Sequence, residues 1–129
     1  KRQVERVAKN NGYDSFLMFN VYAQRATRPN DMERVCNEAL HRANMEAFDY
    51  ILSLSEQPAV WAAWGNIIEQ RAYLKDCLAD MIAIGERHGA QWYTAGRRSV
   101  KGHPHHPLYL KATSPLDAFD IRAYCAECL

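Results

Sequence analysis

Two apolar runs without polar alternation constrain this chain most: Phe16-Leu17-Met18-Phe19-Asn20-Val21-Tyr22-Ala23 and Ala59-Val60-Trp61-Ala62-Ala63-Trp64. Short runs that are apolar on both faces read as strands covered on both sides, as in a parallel sheet. Both fall far short of the roughly 20 residues that a membrane-spanning helix needs. The second run passes through Gly65-Asn66 into Ile67, Leu74, Leu78, Met81 and Ile82 at helical spacing, with Gly89 beyond the end. Asn44 before Met45-Glu46-Ala47-Phe48 reads as an N-cap, and Phe48, Ile51 and Leu52 give its helix a buried side.

These signals predict strands at 15–23, 59–64 and 91–95 and long helices at 44–56 and 67–88. A short amphipathic helix is expected over 3–11, stopped by Gly12, and a short last strand at Leu108-Tyr109-Leu110. Ser114-Pro115 is a fitting start for a terminal helix. Strands alternating with helices predict an α/β fold, a three-layer sandwich with a mostly parallel central sheet, Rossmann-like in arrangement.

The chain has 129 residues, of which 48% are hydrophobic and 24% charged, so it is expected to form one domain with a real core. The charged opening segment and four scattered cysteines (Cys36, Cys77, Cys125, Cys128) predict a reducing, cytoplasmic setting without a signal peptide. Net charge is only +1, but residues 97–111 hold four basic residues, no acid and three of the five histidines. A short basic block in a near-neutral chain points to a local anion site.

Ligands of open parallel α/β sheets sit outside the carboxyl ends of the strands. The first predicted strand delivers Asn20, Tyr22, Arg25 and Thr27 there. The second delivers Trp64, Gly65 and Asn66, and the third Gly96 and then Arg97, Arg98, Lys101, His103, His105 and His106. Aromatic faces, amides and cations on one edge suit a planar, partly anionic ligand such as a nucleotide or nucleobase. Bland roles stand beside these. Trp61 and Trp64 also suit the core, Asn20 suits a buried structural amide, Gly65-Asn66 suits a tight turn, and the basic loop suits a solvated connector. Cys125-Ala126-Glu127-Cys128 has C-x-x-C spacing but no matching second pair, so neither a metal nor a cofactor is expected.

Phe19-Asn20-Val21-Tyr22-Ala23-Gln24-Arg25-Ala26-Thr27, Ala62-Ala63-Trp64-Gly65-Asn66 and His106-Pro107-Leu108-Tyr109-Leu110 occur in this order. In this the chain resembles the domain-of-unknown-function family 1643, small cytoplasmic α/β proteins of bacteria and phages. Members carry an Asn-Asp pair opening the middle helix, here Asn44-Met45, which adds Asn44 to the implied ligand residues. They also begin with a strand ending in Asn-Pro-Ser, so this chain is expected to lack an N-terminal strand and motif. The family layout is similar, more loosely, to that of uracil-DNA glycosylases, which implies a glycosylase-like sheet.

The expectation is therefore a protein that binds or processes a nucleotide or nucleic-acid base, with no membrane association. Asn20 would read the base, Trp64 would stack, and Asn66 with the helix start would hold an anionic group. His106 would act as acid, base or oxyanion stabiliser. Arg25, Thr27, Gly65, Arg98, Lys101 and Asn44 complete the ligand set. The loop at 97–107 is expected to be mobile or poorly packed when empty and to close over a phosphate-bearing ligand or strand, with His106 inward and His103 and His105 more exposed. The alternative is a noncatalytic protein-interaction domain, marked by an exposed apolar patch.

Overall fold

The computed structural model describes residues 2–24, 28–107 and 110–129. Its elements are α1 (Arg2–Asn10), α2 (Glu38–Ser53), β1 (Ala59–Trp61), α3 (Ala72–Arg87), β2 (Gln91–Ala95), β3 (Leu116–Ala118) and α4 (Ile121–Cys128). Short 3-10 turns lie at Pro29–Asp31 and Gly65–Glu69. No helix among the described residues is long and apolar enough to cross a membrane. The chain divides into two compact units: Lys1–Met18, Trp61–Asn66 and Trp92–Leu129 form one, Phe19–Val60 and Ile67–Gln91 the other.

The sheet is small and mixed, in the order β1-β2-β3. Gln91 N–H donates to the Pro58 carbonyl and Ala62 N–H to that of Tyr93, both at 2.8 Å, so β1 and β2 run parallel. β3 pairs antiparallel to β2, with Tyr93 opposite Ala118 and Ala95 opposite Leu116. The expected three-layer sandwich around a mostly parallel sheet, whether glycosylase-like or Rossmann-like, is thus incorrect. Residues 15–23 hold no strand: Leu17 and Met18 are 68% and 55% exposed, while Phe19 and Val21 turn onto helices. Apolar content does not itself supply backbone partners, and a strand exists only where a neighbour completes its ladder. A strand stands instead at 116–118, where the terminal helix was expected to open, and that helix begins at Ile121.

In the first unit, α1 buries Val4, Val7 and Ala8, and Gly12 ends it at φ 89°. Amide side chains fasten it to the segment leading into β3. Gln3 Nε2 donates to the Leu110 carbonyl, Asn10 Nδ2 to Ala112 O at 2.6 Å and Asn11 Nδ2 to Ser114 O at 3.0 Å. Asn11 Oδ1 also accepts from Leu116 N–H at 2.9 Å, which sets the start of β3.

In the second unit α2 and α3 pack side by side. His41 meets Asp80 at 2.7 Å, and eight residues further along each chain segment Asp49 meets His88, the residue that caps α3, at 2.6 Å, so the two helices run parallel. Met45, Phe48, Leu52, Met81 and Ile84 form the core between them, and Phe19 lies edge-on to Phe48 at 5.3 Å. Burying each such side chain contributes about 1.5–3 kcal/mol. The cap of α2 is Asn37, whose side chain accepts from Leu40 N–H at 3.1 Å, and Asn44 lies within the helix. The turn at Gly65–Glu69 ends before Arg71, so α3 begins at Ala72, later than the expected 67.

Candidate functional site

The basic loop is built rather than slack. It leaves β2 through Gly96, whose φ of 73° suits glycine and whose missing side chain leaves room for Leu110. Gly102 N–H donates to the Ser99 carbonyl at 2.8 Å and Ser99 N–H to the His103 carbonyl at 2.9 Å, closing a tight turn. Ser99 Oγ donates to Asn66 Oδ1 at 2.6 Å, and Gly65 N–H donates to the Pro104 carbonyl at 2.9 Å. The loop is thereby tied at two points to the turn that follows β1. Loose packing was the wrong expectation, because backbone bonds and two buried residues, His103 and Pro104, offset the repulsion among its cations.

Beneath the loop is an aromatic cluster. Tyr124, brought in by α4, is wholly buried, with its ring 5.4 Å from Phe119 and 5.6 Å from Trp64. Its hydroxyl accepts from Trp64 Nε1 at 2.9 Å and lies 2.7 Å from His103 Nδ1. Indole nitrogen can only donate, so the phenol keeps its own proton for His103 in the tautomer whose Nδ1 accepts. The Arg98 guanidinium rests 4.8 Å from the centre of the Phe119 ring.

His103, not His106, is the histidine that points inward, at 1% exposure. His106 is exposed and stands near Gly65, where an added Cβ would come within 3.7 Å of its own. Partial burial of its ring and then the charge of His105 hold its pKa below the ordinary 6.5. Arg97, Arg98 and Lys101 are exposed, and Val100 at the tip of the turn is fully so.

One unit therefore gathers Trp64, Gly65, Asn66, Arg98, Lys101 and His106 around this loop. Asn20 and Asn44 belong to the other unit, where they meet each other: Asn44 Nδ2 donates to the Asn20 carbonyl at 2.8 Å. The Asn20 side chain is exposed, not held in a core. Arg25 and Thr27 lie outside the described residues, as does most of the predicted strand at 108–110. Two cavities lie elsewhere: about 760 Å³ lined by residues including Asn30, Arg34 and Arg71, and about 220 Å³ beside Tyr13 and Phe16. Among the described residues no group of three or more His, Cys, Asp or Glu is placed to hold a metal ion.

Sequence reasoning missed Ser99 and Tyr124. Tyr124 follows Ile121 at helical spacing, a signal that marks both as one buried face. Ser99 carries no comparable signal.

The fold and the loop define a small mixed α-and-β chain with a braced, cationic surface loop. Residues 1–108 match the family described as protein of unknown function (DUF1643), and the chain belongs to that family. No curated protein and no solved structure matches it, so the looser likeness to uracil-DNA glycosylases has no support.

Proposed function

We propose that the protein binds nucleic acid through the phosphate backbone, using the loop at 97–106. One observation carries this reading: a run of exposed cations, Arg97, Arg98 and Lys101, stands on a turn fixed from below by buried His103. A braced loop loses little conformational entropy when a ligand arrives. Val100 at the tip provides an apolar contact of the kind that meets bases beside a tracked backbone. The loop is a projecting surface, which suits a strand better than an enclosed mononucleotide. His106, neutral near pH 7 through its lowered pKa, gains charge when an anion settles beside it.

The test is fluorescence anisotropy with a labelled 15-nucleotide single strand, titrated between about 50 and 200 mM salt. Arg98→Ala with Lys101→Ala should weaken binding and reduce the log–log salt slope by about 1.4, from roughly 0.7 per lost phosphate contact on a single strand. Binding that survives with unchanged strength and slope makes the loop a connector. Binding of free nucleotide with none of the strand moves the reading to a mononucleotide site.

A second reading, a noncatalytic interaction domain, is favoured by the far face of α2. Leu40, Ala43, Ala47, Tyr50 and Leu54 are exposed at helical spacing, Tyr50 and Leu54 each to 64%, opposite the buried Met45-Phe48-Leu52 face. Large residues at both ends, with Ala43 and Ala47 between them, fit a second copy laid antiparallel. Sedimentation equilibrium should then show a dimer that Tyr50→Glu dissociates, and a monomer at every concentration removes this reading.

A further inference from the structure

The second unit holds a pair of thiols that the loop at 97–106 does not involve. Cys36 and Cys77 lie 41 residues apart in sequence, and their sulfurs are 3.9 Å apart. Cys77 is buried in the middle of α3, whereas Cys36 is half-exposed in the irregular segment just before Asn37, the cap of α2. We propose that this pair is an oxidative modification site at which hydrogen peroxide, or another two-electron peroxide oxidant, converts the two thiols into a disulfide.

The geometry sets the order of events. Cys36 is the thiol within reach of solvent, so its thiolate attacks the peroxide oxygen. The O–O bond breaks, Cys36 becomes a sulfenic acid, and hydroxide leaves to be protonated by water. Cys77 then attacks the Cys36 sulfur: the S–S bond forms, the S–O bond breaks, and the Cys77 proton departs with the hydroxyl as water. Overall the thiols lose two electrons and two protons, and one peroxide is reduced to two waters. Burial first, then the neighbouring Cys36, pushes the Cys77 thiol up to about 12, so Cys77 keeps its proton until that second step.

The sulfurs must close from 3.9 Å to the roughly 2.05 Å of a disulfide. Cys36 can supply that movement, because it precedes the helix and is not locked by helical bonds. The segment before it already follows α3. Arg71 Nη2 donates to the carbonyls of Asn30 at 3.2 Å and Met32 at 2.9 Å, and the Tyr73 hydroxyl donates to that of Glu33 at 2.6 Å. Tyr73 and Cys77 are one helical turn apart, so the disulfide extends this seam by one step. It would lie one residue beyond Val35, which lines the 760 Å³ cavity together with Asn30, Met32, Glu33, Arg34 and Arg71.

The experiment treats the full chain with a small molar excess of hydrogen peroxide, blocks remaining thiols, and maps tryptic peptides. Cleavage after Arg34, Arg42, Lys75 and Arg87 places Cys36 in peptide 35–42 and Cys77 in peptide 76–87, while Cys125 and Cys128 share peptide 123–129. The expected product joins 35–42 to 76–87, is reversed by dithiothreitol, and melts about 5–15 °C higher than the reduced chain. Cys36→Ser, oxidised in parallel, should lose the linked peptide and the rise together. The proposal is overturned if Cys36 goes on to sulfinic acid, if the link joins either residue to peptide 123–129, or if both thiols stay reduced.

Discussion

Replacing Tyr124 by phenylalanine tests whether the buried hydroxyl beneath the basic loop holds its unit together. The change removes one oxygen and keeps the ring, so the contacts with Trp64 at 5.6 Å, Phe119 at 5.4 Å and His103 at 5.8 Å remain. What disappears is the partner of Trp64 Nε1 at 2.9 Å and of His103 Nδ1 at 2.7 Å. Tyr124 is wholly buried and His103 nearly so, which leaves water little access to take the hydroxyl's place. A buried polar group left without a partner costs about 1–3 kcal/mol. Trp64 is only half-buried and falls at the low end, so the two losses together come to about 2–4 kcal/mol. For 129 residues the unfolding entropy is about 0.27 kcal/mol per kelvin, and the melting temperature should fall by about 7–15 °C. Calorimetry reads the shift, and urea titration with an unchanged m-value confirms that the compared states are the same. A fall of less than about 2 °C would refute the reasoning, because it would mean that the hydroxyl satisfies nothing that water cannot.

Two further outcomes follow from single positions. Gly96→Ala meets both a φ of 73° and the terminal methyl of half-exposed Leu110, which must turn aside, whereas Gly12→Ala meets a φ of 89° with nothing within 4 Å; each should cost about 1–2 kcal/mol for the backbone, with Gly96→Ala the costlier of the two, and a smaller cost at Gly96 in denaturant titrations would contradict the close approach there. The pKa of His106 is lowered on folding, so between 6.5 and its folded value the unfolded chain binds more protons and stability rises with pH; an anion beside the ring raises that pKa again, so strand binding should strengthen as pH falls below about 6.5, and His106→Gln should flatten that dependence in anisotropy titrations.

Where the sequence was legible, one face of an element carried the signal. α1 could be read from Val4, Val7 and Ala8 against charged neighbours, with Gly12 as its stop. The body of α3 could be read from Leu74, Leu78, Met81 and Ile82, all buried. α2 starts earlier than its apolar pattern indicates because the buried residue of its first turns is His41, not a hydrophobe, and its buried ring is held by Asp80. Periodicity sees only apolar residues and so points to Asn44 as the cap, which Asn37 supplies instead. The run from Phe16 to Ala23 misled for the opposite reason: its composition fits a strand, but backbone pairing is a property of the neighbour. Its apolar side chains are divided between solvent at Leu17 and Met18 and the helical core at Phe19 and Val21.

The histidine cluster marks the same limit within the candidate site. The apolar sequence after Pro107 argues for an inward His106, since a neighbouring anchor should draw it in. The deciding contact, however, comes from Tyr124 at the far end of the chain, and it selects His103 instead. That selection changes what the loop does. With His103 buried, the turn from Ser99 to Gly102 is fixed from below, and the cations on either side of Val100 stand exposed on it. Had His106 taken the inward place, the same charges would have sat on a longer free stretch, and ordering them on a ligand would have cost about 1–2 kcal/mol for each residue fixed. The hydroxyl that stabilises the unit and the presentation of the cations are therefore one device. Loss of the first should loosen the second even at temperatures where the unit stays folded.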